Sequence, residues 1–156
     1  MNYLYAAVGF SMLAMPALAQ TPDAQTPDII KVPATGSVAA TADKLEAAIS
    51  KAGASVAARV DHGAAAAKAG LALDEAQLVI FGNPQIGTPV MQDDSLAGLY
   101  LPLRVLVYKD SEGQVWLAYE DPAAMLRSLE GVASDAPYIG KMRGALGALT
   151  AAAAAE

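Results

Sequence analysis

The sequence predicts a two-layer α+β domain, an antiparallel sheet with its helices gathered on one face. Three observations predict it. Apolar spacing over residues 35–131 switches repeatedly between period 2, the mark of a strand, and period 3.6, the mark of a helix. The main elements run strand, helix, strand, strand, helix, strand, strand, helix, and the two adjacent strand pairs can join only by antiparallel connections. Glycine and proline stand at the switches.

The elements follow in chain order. Residues 1–19 carry an apolar run from Leu4 to Leu13, then Pro16 and the small-x-small triplet Ala17-Leu18-Ala19. This is the pattern of a cleaved secretory signal, and it predicts a secreted, periplasmic protein; the usual basic n-region is missing. Residues 20–34 are polar with three prolines and read as a flexible tether. Gly36 to Ala40 reads as a short strand, with Thr41 as the cap of a helix whose face is Leu45, Ala48, Ile49 and Ala52 and whose stop is Gly53. Val56, Ala58 and Val60 alternate as the buried face of a strand. Asp61 then caps a short alanine helix that Gly70 stops. Gln77 to Phe81 is apolar on both faces and reads as a central strand.

A helix is expected from Thr88, with Pro89 in its first turn, through Leu96 to a stop by Gly98. Leu101 to Asp121 reads as a hairpin turning near Ser111 to Gly113. Leu103, Val105, Val107, Val115 and Leu117 share one face; Leu106, Tyr108, Trp116 and Ala118 share the other. Asp121-Pro122 opens a helix that ends at Gly131, and residues 132–156 give a last helix over Ile139 to Leu149 with a fraying alanine tail. A sheet apolar on both sides with helices for one needs a second cover, which predicts a homodimer or a ligand on the open face unless the C-terminal helix covers Trp116.

Composition narrows the function. Ten basic against sixteen acidic residues give a net charge of −6, which argues against nucleic-acid binding through a basic surface. No segment after the leader approaches the 18 apolar residues of a membrane span. With no cysteine and one histidine, thiolate metal sites, thiol catalysis, covalent haem attachment and multi-histidine metal sites within one chain are excluded.

Four segments match a known family in its order: Asp61-His62 with the AAAAKAG run, LVIFGNPQIGTPVM from Leu78, LPLRVLVYKDSEGQVWLAY from Leu101, and DPAAML from Asp121. Together they resemble the "domain of unknown function 302" family over about residues 35 to 130. The resemblance implies a compact α+β domain, related in shape to TATA-binding-protein-like or helix-grip folds, that dimerises. It implies no reaction. Val90 stands where leucine is common in the family.

Candidate chemistry centres on Gly82, Asn83, Pro84, Gly87, Thr88 and Met91, where a strand ends, glycines permit tight backbone, and a helix start can receive an anion. The glycine spacing fits neither a P-loop nor a dinucleotide fingerprint, so turn chemistry is the competing reading. His62, placed by alternation with Val56 and Val60, invites three readings: a structural histidine, a pocket group binding ligand or acting as acid/base, and a haem axial ligand with Met91 or Met125 as partner. Arg59, Arg104 and Lys109 are candidate anion partners for the glycine-rich turn. No Gly-x-Ser-x-Gly elbow is present. The favoured expectation is an exported small-ligand-binding or sensing module without a required cofactor; the alternatives are a haem or redox protein, and a hydrolase or isomerase using His62 with Asn83 at an oxyanion site.

Overall fold

Residues 29–155 are described in the computed structural model, and five strands in it form one sheet in the order β1-β5-β4-β3-β2. Every neighbouring pair is antiparallel. In chain order the elements are β1 (Ile29–Ala34), α1 (Val38–Lys51), β2 (Ser55–Asp61), α2 (His62–Lys68), β3 (Ala76–Gly82) and α3 (Pro84–Asp93). A 3₁₀ turn (Ser95–Leu99) follows, then β4 (Leu103–Lys109), β5 (Val115–Glu120), α4 (Pro122–Leu126) and α5 (Pro137–Ala154). The α+β expectation holds. The expected signal, residues 1–19, and positions 20–28 lie outside the described residues.

The core forms where two helix stripes meet the sheet. Helix α1 buries Val38, Thr41, Ala42, Leu45 and Ile49, the spacing that brings side chains to one helical face. Helix α5 lies beside it and buries Tyr138, Ile139, Met142, Leu146, Leu149, Thr150 and Ala153. Both cover the face bearing Val79, Val105, Val107 and Leu117, each fully buried. The hairpin parity is as expected: Val105, Val107, Val115 and Leu117 point to the core, while Leu106, Tyr108 and Trp116 are half-exposed on the opposite face. Tyr108 stands directly across from Trp116, and the Lys31 ammonium lies 5.6 and 5.9 Å from the two ring centres. Because α5 packs with α1 on the core side, that face is left half-exposed among the described residues.

Several local expectations are corrected. The tether ends sooner than expected, since Ile29–Ala34 pairs with β5 as an edge strand, where Pro33 needs no donor partner. Gly36 to Ala40 forms no strand: Ser37, not Thr41, caps α1, its hydroxyl accepting from the Ala40 N–H at 3.2 Å. Helix α5 begins at Pro137 and continues through the alanines, with Ala153 buried and the Ala155 carbonyl accepting from Lys44 Nζ at 2.6 Å. The tail is therefore packed. Helix α4 is a single short turn, tied to α5 by Asp121, whose carboxylate accepts from the Ala123 and Ala124 N–H groups and from Arg143 Nε at 2.6 Å.

Candidate functional site

The Phe81 to Met91 segment builds one wall of a cleft at the end of the sheet. As β3 ends, Asn83 caps α3: its side-chain oxygen accepts from the Gln85 N–H at 2.9 Å, and Pro84 takes the first helical position, where the missing N–H costs nothing. The helix thus begins one turn before the expected Thr88-Pro89 start, and Pro89 lies inside it. This shift decides the anion question. Pro84 has no N–H, Gln85 donates to the Asn83 side chain, and Ile86 and Gly87 donate to the Asn83 carbonyl at 2.9 and 3.0 Å. The first-turn donors an anion would need are already engaged.

The opposite wall comes from the turn between α1 and β2 and from α5. Ala54, Ser55 and Ala57 share with Gly87, Thr88 and Met91, and with Met142, Ala145 and Leu149 of α5, the lining of a volume of ≈ 580 Å³. Phe81, Leu101 and Leu103 complete the apolar lining, and no charged side chain contributes. The cis Leu101-Pro102 bond lies in this wall. Six of the seven expected site residues, Gly82, Asn83, Pro84, Gly87, Thr88 and Met91, line the cleft.

His62 is the exception. It is exposed at the start of α2, while the cleft touches β2 at Ser55 and Ala57, so about 16 Å of extended strand separates it from the nearer of the two. The parity argument fails because β2 carries a bulge between Val56 and Ala58. Beyond an inserted residue every side chain changes face, and Val60 sits opposite Leu78 instead of joining Val56 on the core side. The readings that joined His62 to the glycine-rich turn, as acid/base with Asn83 or as haem ligand with Met91, lose their geometry. Met125 is buried in α4, outside the cleft.

The basic candidates do not converge either. Arg59 meets Asp43 at 2.6 Å, Arg104 meets Glu120 at 2.7 Å and Lys109 meets Glu75 at 3.1 Å, and none of the three lines the cleft. Among the described residues no group of three His, Asp or Glu side chains is placed to hold a metal ion. The cleft's polar side chains are Ser55, Asn83 and Thr88, with no titratable neighbour in the lining to act as a base. Its chemistry is shape and apolar surface. Met142, Ala145 and Ala57 were not foreseen as site residues; they reach it through the docking of α1 and α5, which leaves no short-range motif.

The family model described as "Domain of unknown function DUF302" matches residues 30–149. The chain belongs to the DUF302 family. The matched stretch includes the five strands apart from Ile29, and every residue lining the cleft. A crystal structure titled as an uncharacterized conserved DUF302 protein from Bacillus stearothermophilus superposes with a TM-score of 0.65 at 18% identity, over 81% of this chain and 94% of the other, which shows the shared fold. Over 109 residues the chain is 47% identical to proteins named fluoride-specific ion channel FluC 1 from Brucella suis biovar 1 (strain 1330) and from Brucella abortus biovar 1 (strain 9-941). That stretch is 69% of this chain but only 42% and 40% of those two proteins. The DUF302 chain thus spans about two fifths of the length of these curated relatives. No helix among the described residues is long and apolar enough to cross a membrane.

Proposed function

We propose that this DUF302 protein is an exported module that binds a small molecule in the cleft between the sheet end and helices α1, α3 and α5. One observation carries the reading: a ≈ 580 Å³ apolar concavity with three polar side chains in its lining, the size and character usual for small-molecule sites. The leader-like residues 1–19 support export. The half-exposed sheet face bearing Leu78, Ile80, Leu106 and Trp116 supports a homodimer that buries it. The reading needs no cofactor and no catalytic histidine.

The test is a thermal-shift screen of chemically varied small molecules against the wild type and Ala145→Phe, which adds bulk to the cleft lining. A ligand that binds the folded state raises the melting temperature by mass action. The expected result is stabilisation of the wild type that the variant lacks. Equal shifts in both proteins would move the binding elsewhere.

A second reading rests on the likeness to proteins named fluoride-specific ion channels: the domain is the companion of an ion channel. Fluoride itself does not suit the cleft, since a small, strongly hydrated anion needs donors or cations to replace its water. The likeness therefore bears on partnership. Co-purification of this chain with the remaining portion of the Brucella protein is expected on this reading, and its failure would remove it.

A further inference from the structure

We infer that the ligand of the cleft is a straight, uncharged hydrocarbon chain, either a free amphiphile or one chain of a membrane lipid; this rests on the reading of the cleft as a ligand site. Three features select this class. First, a carboxylate, phosphate or ammonium drawn into the cleft would lose its water with no counter-charge in the lining. The polar end of the ligand must stay at the mouth. Second, the lining is aliphatic: Ala54, Ala57, Gly87 and Ala145 contribute methyl groups or bare backbone beside leucine and proline side chains, and Phe81 is its one aromatic residue. That ring is itself buried, 2% exposed, in the core. An aromatic ligand would find no exposed plate to stack on. Third, Met91 on α3 is 39% exposed in the lining, where its unbranched thioether fits a flexible chain of variable length, and Met142 on α5 lies buried beneath it in the same lining.

The mouth is also apolar. Met91 is 39% exposed, and the adjoining 3₁₀ turn leaves Leu96 at 60% and Leu99 at 77% exposed. A Cβ on Gly98, a lining residue of that turn, would come within 3.7 Å of Met91 Sδ, so the turn and the methionine form one rim. A hydrocarbon chain would pass from this rim into the cleft without meeting a buried charge.

The experiment uses methyl-labelled methionine NMR on the full chain, with 1-hexanol, 1-octanol and 1-decanol as probes and 2-naphthol as the control. The expected result is saturable shifts of the Met91 and Met142 methyls with Met125 unmoved, and affinity rising roughly fourfold per added methylene. Ala145→Phe should abolish the shifts; if it does not fold, Ala57→Trp at the cleft wall serves. Phosphatidylcholine vesicles distinguish the sources: broadening of Met91 with vesicles assigns a bilayer lipid, and response to the soluble alkanols alone assigns a free amphiphile, both within the inference. It is overturned if affinity is independent of chain length, or if 2-naphthol binds the same methyls more tightly than 1-decanol. In that event the cleft still binds a small molecule. If no probe moves Met91 or Met142, the inference and the reading beneath it fall together.

Discussion

At the scale of single residues, two contacts fix how the cleft-bearing elements are held. Gly131 passes so close to the C-terminal end of α3 that a Cβ there would sit 2.4 Å from the Asp93 carbonyl oxygen. Gly131→Ala is therefore expected to destabilise the fold by about 1 to 3 kcal/mol, measured by urea denaturation, because the backbone must move to admit one methyl group. The sequence marked this glycine as a helix stop, but its reason is long-range and was not legible. Asp121 was legible as a cap; its Arg143 partner, 22 positions on, was not. Bonds from Arg143 hold the Asp121 carboxyl below the ordinary carboxylate range, although burial pushes the other way. A folded-state pKa below the unfolded one contributes stability that is present above about pH 4 and is lost as pH falls through the folded value. The wild type should lose more stability than Asp121→Asn between pH 6 and pH 3. Equal losses would assign the acid sensitivity to other groups.

At the scale of elements, helix starts and strand faces show why some local signals misled. Thr88-Pro89 has the form of a cap and first-turn proline, but Asn83-Pro84 has the same form and comes directly after the strand. Asn83→Ala should cost about 0.5 to 2 kcal/mol by loss of the cap. Strand β1 escaped notice because Pro33 and the polar residues before it suggest a loop; its alternation of Ile30 and Val32 inward gains meaning only beside β5, more than 80 residues away. The β4-β5 hairpin was legible because its period is local and Gly113 supplies the positive φ of 86° at the turn. Helix α5 carries glycines at 140 and 144 where a Cβ would meet nothing within 4 Å. Gly140→Ala and Gly144→Ala are each expected to stabilise the protein by about 0.5 to 1 kcal/mol, because alanine gives up less backbone entropy on entering a helix. Calorimetric melting checks both.

At the scale of the whole molecule, the two-layer architecture was legible from periodicity, and so was which hairpin side chains point to the second sheet face. We propose the outer sheet face as the dimer surface. Leu106→Glu, at its centre beside Ala118, should yield monomers in light scattering while the wild type runs as a dimer. The glycine-rich turn was legible as a place; its partners from α1, β2 and α5 were not, because residues such as Ala57 and Ala145 carry no chemistry that a sequence reader can single out. The lone histidine drew attention for the converse reason, and the length of β2 keeps it away from the site. What the fold gathers at the end of the sheet is an uncharged hollow. The most direct measurement is mass spectrometry of organic extracts from the purified protein, comparing the wild type with Ala145→Phe. The account predicts an apolar molecule that co-purifies with the wild type and is absent from the variant. Identical extracts from two equally folded proteins would contradict it.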